Sequence, residues 1–186
     1  LLPACPAAAQ ELPAATPVGN HTLGLSAGPF FPIRLLSGQA SKLFGETLMP
    51  SWTVTLTEPI GAGWYQGQLS LGAELIAFHT AEPMTAYGVG FTPKLVYTST
   101  AFGRVRPFIE GGGGPMWTDL GGRVPEQPGQ FNFLVWGGAG CSYQMTRHWA
   151  LNAGYRIMHI SNAGTRDPNS GLNVGLPFIG LSYQGF

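Results

Sequence analysis

Tyr65-Gln66-Gly67-Gln68-Leu69-Ser70-Leu71-Gly72-Ala73-Glu74-Leu75-Ile76-Ala77-Phe78 decides the fold. Tyr65, Leu69, Leu71, Ala73, Leu75 and Ala77 fall on one parity, and Gln66, Gln68, Ser70, Gly72 and Glu74 on the other. In an extended chain successive side chains point to opposite faces, so this is a strand with one apolar and one polar side. The same pattern recurs along the chain. Expected strands cover residues 21–29, 51–57, 64–78, 87–97, 107–118, 131–143, 149–161 and 172–186, with Gly111-Gly112-Gly113-Gly114 inside the fifth.

Composition says which side meets which medium. Of 186 residues only 10% are charged, against roughly 25% in ordinary soluble domains, and glycine is abundant at 28. No apolar run approaches the roughly 20 residues of a spanning helix. A soluble lipocalin-like barrel also has eight alternating strands, but its outer face needs charge. Here the polar parity is Gly, Ser, Thr and Gln, a poor solvent surface. It suits the lumen of a membrane barrel instead, with the apolar parity against lipid. The expected fold is therefore all-β, an eight-stranded antiparallel up-and-down transmembrane β-barrel of the bacterial outer membrane. Leu71, Leu75, Phe91, Val135 and Leu181 should face lipid. Four mid-strand charges of polar parity, Glu74, Lys94, Glu110 and Arg156, should neutralise one another inside, as buried charges must. Aromatics near segment ends (Trp64, Tyr65, Tyr97, Trp117, Tyr143, Trp149) fit interfacial girdles.

An even strand number lets both termini lie on the periplasmic side. Longer gaps near residues 32–50, 120–130 and 162–171, with a short one at 79–85, are then outer loops, and 58–63, 99–106 and 145–148 are inner turns. Residues 1–9 read as a residual secretory signal with Ala7-Ala8-Ala9 as its small-residue site, and 10–20 as a periplasmic lead-in. Residues 21–186 form a single barrel domain. Lipidation at Cys5 is a weaker alternative, and Cys141 reads as a small hydrophobe on the lipid face. Zero net charge gives no basis for nucleic-acid binding.

The chemistry lies near the C-terminus. Trp149, Leu151, Ala153, Tyr155 and Ile157 share the apolar parity, and continuing it brings His159 and Ser161 to the outer end of the lipid-facing side. Two residues apart on a strand, an imidazole and a hydroxyl point the same way, which is what a Ser nucleophile with a His general base requires. Asn173 has the parity of Ile179 and Leu181 and lies at the outer end of strand eight, across the 162–171 loop from the pair. Asn169, or backbone N–H groups of the loop around Asn162 and Gly164, are candidate oxyanion donors. A lone His-x-Ser is also common as an interfacial contact without chemistry.

These residues carry a resemblance. His159, Ser161-Asn162-Ala163-Gly164, then Asn169, Gly171 and Leu172 resemble the motif of the outer-membrane lipid A 3-O-deacylases of the PagL type, also grouped as acyloxyacyl hydrolases. The resemblance at motif level covers the last quarter of the chain; the eight-stranded plan and Pro107-Phe108-Ile109-Glu110-Gly111 match more loosely. It implies an outer-membrane barrel with its active site on the lipid-facing exterior. It also implies removal of the ester-linked acyl chain at position 3 of lipid A in lipopolysaccharide, with no cofactor or metal. Two positions depart from the family. Ile160 stands where an aromatic is usual, and Asn173 stands where the family has the glutamate of a Ser–His–Glu triad. An amide oxygen orients an imidazole, as in Cys-His-Asn sites, but brings no negative charge; Asp167 is an alternative acid. From a different class, a non-catalytic small barrel (adhesin, envelope-stabilising or assembly subunit) competes with the hydrolase, because fold alone does not fix function. A transport channel ranks third, since eight strands leave a lumen filled by side chains. The sequence leaves a homo-oligomer open.

Overall fold

The computed structural model describes residues 15–34, 42–167 and 169–185. The signal segment expected at 1–9, Cys5 and the first part of the lead-in lie outside these residues. Eight antiparallel strands follow one another around a closed barrel: β1 (His21–Pro32), β2 (Phe44–Thr55), β3 (Gly67–Glu82), β4 (Ala86–Ser99), β5 (Val105–Thr118), β6 (Phe131–Gln144), β7 (Trp149–Ser161) and β8 (Leu172–Gln184), which closes on β1. No helix among the described residues is long and apolar enough to cross a membrane. Crossing falls to the strands.

Parity behaves as alternation requires. Leu71, Leu75, Phe91, Val135 and Leu181 are exposed on the outside, whereas Gln68, Glu74, Lys94 and Arg156 are buried inside. Between the rims, no described strand residue that points outward is Asp, Glu, Lys or Arg; Glu46 and Glu82 lie near strand ends at one rim. Such a surface is stable in hydrocarbon and not in water. Aromatic side chains ring both ends: Trp52, Tyr143, Trp149 and Tyr183 near the chain termini, and Tyr87, Trp117, Phe131 and Phe133 at the opposite rim, called the outer rim below. Cys141 lies exposed on the lipid side.

Two expectations about boundaries are corrected. The first long gap is shorter than the sequence suggests, because β2 begins at Phe44 and not at residue 51. Pro50 hid it. Proline has no N–H to donate, so it should mark a break in a strand. Here Phe44, Glu46, Leu48 and Pro50 continue the outward parity, and the β2–β3 ladder has no pair at Met49 or Pro50. The same accommodation recurs at Pro93 and Pro115, where the β4–β5 ladder passes from Gly90–Met116 to Lys94–Gly112. It recurs again at Pro177, between the β1–β8 pairs Ala27–Ile179 and Phe31–Gly175. The second correction concerns Trp64 and Tyr65, which sit in a short 3-10 turn, Gly63–Tyr65, so the inner connection before β3 runs from 56 to 66.

The lumen is layered rather than uniformly polar. The outer-rim half is a dry apolar plug built from Ile76, Phe78, Met116, Leu134, Met158, Ile160, Leu172, Val174 and Leu176. Below it, Arg156 forms ion pairs with both Glu74 and Glu110 (Nε to Glu110 Oε1, 2.7 Å), and Lys94 Nζ reaches the same two carboxylates at 3.0 and 3.3 Å. The guanidinium also lies 4.0 Å from the centroid of the Trp136 ring. Gly112 makes room for that ring, since a Cβ there would fall 2.9 Å from Trp136 Cζ2. Toward the termini the lumen opens into a polar cavity of about 130 Å3 lined by Ser, Thr, Gln and Asn side chains with Arg106. Thr16, just before β1, exchanges hydrogen bonds with Gln68 (2.9 and 2.7 Å) and covers that mouth.

Candidate active site

β7 runs to the outer rim and ends on Ser161; β8 starts from the same rim at Leu172. Their register sets His159 opposite Asn173 and Ile160 opposite Leu172. On its other side β7 pairs with β6, placing His159 beside Val135 and Ser161 beside Phe133. His159 and Ser161 therefore lie on the outward face, both half-buried, two residues apart along the strand. Among the described residues no hydrogen bond joins the hydroxyl to the ring; substrate-free sites are often loose in this way.

The third residue is in contact. His159 Nδ1 lies 2.8 Å from Asn173 Oδ1. With the amide oxygen facing the ring, Nδ1–H donates to it and Nε2 keeps the lone pair that a general base needs. Asn173 differs from its sequence expectation in one respect. Parity alone leaves it exposed at the rim, yet it is only 5% exposed. The chain leaving β1 crosses its backbone, with Ile33 N–H donating to Asn173 C=O at 3.0 Å. The bond continues the β1–β8 ladder past Pro32–Val174 and holds the backbone of Asn173.

The 162–171 connection is a tied turn. Asn162 is buried; its Oδ1 accepts from Gly164 N–H (2.9 Å), its Nδ2 donates to Arg166 C=O (2.8 Å), and its own carbonyl accepts from Thr165. Asn162 Nδ2 and the Gly164 N–H are thus both engaged within the turn. Asn169 Oδ1 accepts from Asn162 N–H at 3.2 Å. In that bond the Asn169 side-chain oxygen is the acceptor, and its N–H2 is not used among the described residues. Asp167 is exposed in the turn, and the ring nitrogen it would have to reach is held by Asn173.

Gly171 and Gln127 complete the setting. Gly171 has φ +69°, and a Cβ there would lie 2.4 Å from His159 Cε1. The ring packs against the glycine, so this position needs Gly for space as well as for its backbone angle. Gly171→Ala is expected to push the ring off Asn173 and lower turnover by about 100-fold, the usual effect of misplacing a catalytic group by an ångström. Circular dichroism should show an intact barrel. Wild-type turnover in this variant would mean that the ring need not rest on residue 171. Gln127, fully buried in the 119–130 connection, donates through Nε2 to Ile160 C=O at 3.0 Å. It fastens that connection to the end of β7. Nothing in its local sequence marks Gln127 for this role. Ile160 itself points inward into the apolar plug.

Residues 42–183 match the family described as PagL, lipid A 3-O-deacylase. No individual curated protein matches the chain. Among solved structures, the outer-membrane enzyme PagL superposes with a TM-score of 0.60 at 22% identity, covering 86% of this chain and 97% of that one. Neisserial surface protein A superposes with a TM-score of 0.64 at 15% identity, covering 89% and 96%. At these identities the two structures speak for the fold alone, an eight-stranded outer-membrane barrel. The family match spans most of the chain and includes every residue of the site. The protein is an outer-membrane β-barrel, and it belongs to the PagL family of lipid A 3-O-deacylases.

Proposed function

We propose that this protein is a serine ester hydrolase that removes the 3-O-linked acyl chain of lipid A from the outer face of its barrel wall. The observation that carries it is the bond between His159 Nδ1 and Asn173 Oδ1, with Ser161 on the same face of β7. Ser161 Oγ attacks the ester carbonyl while His159 Nε2 takes its proton. Negative charge develops on the carbonyl oxygen, where the Asn169 amide N–H2 is the side-chain donor of the turn. Collapse expels the sugar alkoxide, which takes the proton from the imidazolium and leaves an acyl-serine. Water, deprotonated by the same imidazole, then releases a free fatty acid and restores Ser161. Acyl chains fit the exposed surface below the pair, where Val135, Ile157 and Ile179 offer apolar contact.

Mass spectrometry of lipid A incubated with the purified protein in mixed micelles tests the proposal. Wild type is expected to yield a species lighter by one ester-linked hydroxyacyl chain, with the free acid as co-product. Ser161→Ala should leave lipid A unchanged. Intact lipid A after incubation with folded wild type would favour the non-catalytic barrel, whose best support is the amide at position 173 in place of a carboxylate.

A further inference from the structure

Beside the site, one strand further round, a second cavity of about 720 Å3 opens at the outer rim. Trp117 of β5 and Phe131 of β6, directly paired across the sheet, form its floor. Gly121, Pro128, Gly129 and Gln130 wall it on one side, and Thr165 and Arg166 from the turn after Ser161 on the other. Arg166 is the single charged side chain among the described residues lining it. It is exposed, it lies along Gly129, and no described carboxylate forms an ion pair with it.

Both walls are fastened. Asn162 holds Thr165 and the backbone of Arg166 through the bonds described above. Asn132, fully buried, donates through Nδ2 to the carbonyls of Gly129 (3.1 Å) and Gln130 (3.2 Å). Gln127 ties the same loop to β7. Glu126, in that loop, is buried and does not line the cavity. A forked cation on a held turn, above two aromatic rings at the membrane boundary, has the makings of a receptor for an anionic headgroup with an apolar body. The spacing fits one molecule spanning both places, because Phe131 packs edge-on against Phe133 (centroids 5.3 Å apart), and Phe133 pairs with Ser161.

We propose that Arg166 binds a phosphate group on the sugar headgroup of the glycolipid whose ester faces Ser161. The inference rests on the lipid substrate read above, and it adds what selects that lipid: a phosphorylated headgroup rather than any long-chain ester. The Arg166 guanidinium donates two N–H bonds to phosphate oxygens, while Thr165, whose hydroxyl proton goes to Asn162 C=O, only walls the pocket. The Trp117–Phe131 floor takes the apolar edge of the same lipid.

Binding to the Ser161→Ala protein in micelles tests this without requiring hydrolysis, with lipid A, the same lipid stripped of phosphate, and inorganic phosphate as probes. The phosphorylated lipid should bind about ten-fold more tightly than the stripped one, the size expected of a charge-assisted contact at a partly wet site. Adding Arg166→Ala should erase that preference, and Arg166→Lys should restore part of it. Equal affinity for the two lipids, or a preference that survives Arg166→Ala, would overturn the inference while leaving the esterase reading in place. Competition by millimolar inorganic phosphate would assign the pocket to the free ion and overturn the headgroup. Binding of neither lipid would sink this inference and the lipid substrate together.

Discussion

Ser161→Ala and His159→Ala are each expected to lower ester turnover by a factor on the order of 10⁴ or more, and the double variant should be no slower than the worse single. The side chains act as one unit: without the nucleophile the base has nothing to activate, and without the base the hydroxyl stays protonated. Asn173 extends the same experiment. Asn173→Ala removes the acceptor that keeps the proton on Nδ1, so the ring is free to adopt the tautomer with Nε2–H, and a wrong tautomer costs about 10⁴ in a related triad. Asn173→Glu should instead raise turnover above wild type. A carboxylate accepts from Nδ1–H as the amide does, cannot present a donor by rotating, and stabilises the imidazolium that forms. The measurement is turnover of lipid A by the four single variants, the double variant and wild type at matched folding. Equal turnover by wild type, Asn173→Ala and Asn173→Glu, alongside an inactive Ser161→Ala, would place the orienting group elsewhere.

Arg156→Met is the second large effect, and it concerns stability. Arg156 is 2% exposed and pairs with both buried carboxylates; Lys94 alone cannot balance Glu74 and Glu110. Removing one partner of a buried ion cluster leaves an uncompensated charge, which costs about 3–5 kcal/mol. Methionine fills much of the same volume beside Trp136 and Phe178, so the loss isolates charge from packing. The companion variant Arg156→Met/Glu110→Gln restores one cation to one anion and should recover a substantial part of the stability. Urea unfolding of the barrel in micelles, followed by tryptophan fluorescence, reads both. If the single and double variants unfold at the same urea concentration, charge balance is not what holds the middle layer.

The barrel was legible because its two faces meet different media, so parity carries the signal through every strand. The charged layer was legible for the same reason: Glu74, Lys94, Glu110 and Arg156 each interrupt an otherwise uncharged polar parity, and the four converge. Parity also placed His159, Ser161 and Asn173 on one face. It failed where the inside is not polar. Met158, Ile160, Val174 and Leu176 have inward parity yet are apolar, because the outer half of the lumen is filled by packing rather than by water. Strand limits failed at Pro50, whose missing N–H falls where the ladder has no pair to lose. The fastening of the site was hidden for another reason. Gln127 is joined to Ile160, and Gly171 to His159, by contacts between chain segments that no local pattern announces.

The layered lumen has a consequence beyond the reaction. A hole through the outer membrane would admit detergents, dyes and antibiotics, and a barrel present in many copies multiplies any leak. Here a stopper of Leu, Ile, Met and Phe side chains closes the half of the lumen at the rim that carries His159 and Ser161, and a neutralised charge layer lies beneath it. Chemistry confined to the outer wall would let the cell remodel its surface without loosening the permeability barrier that the surface exists to provide.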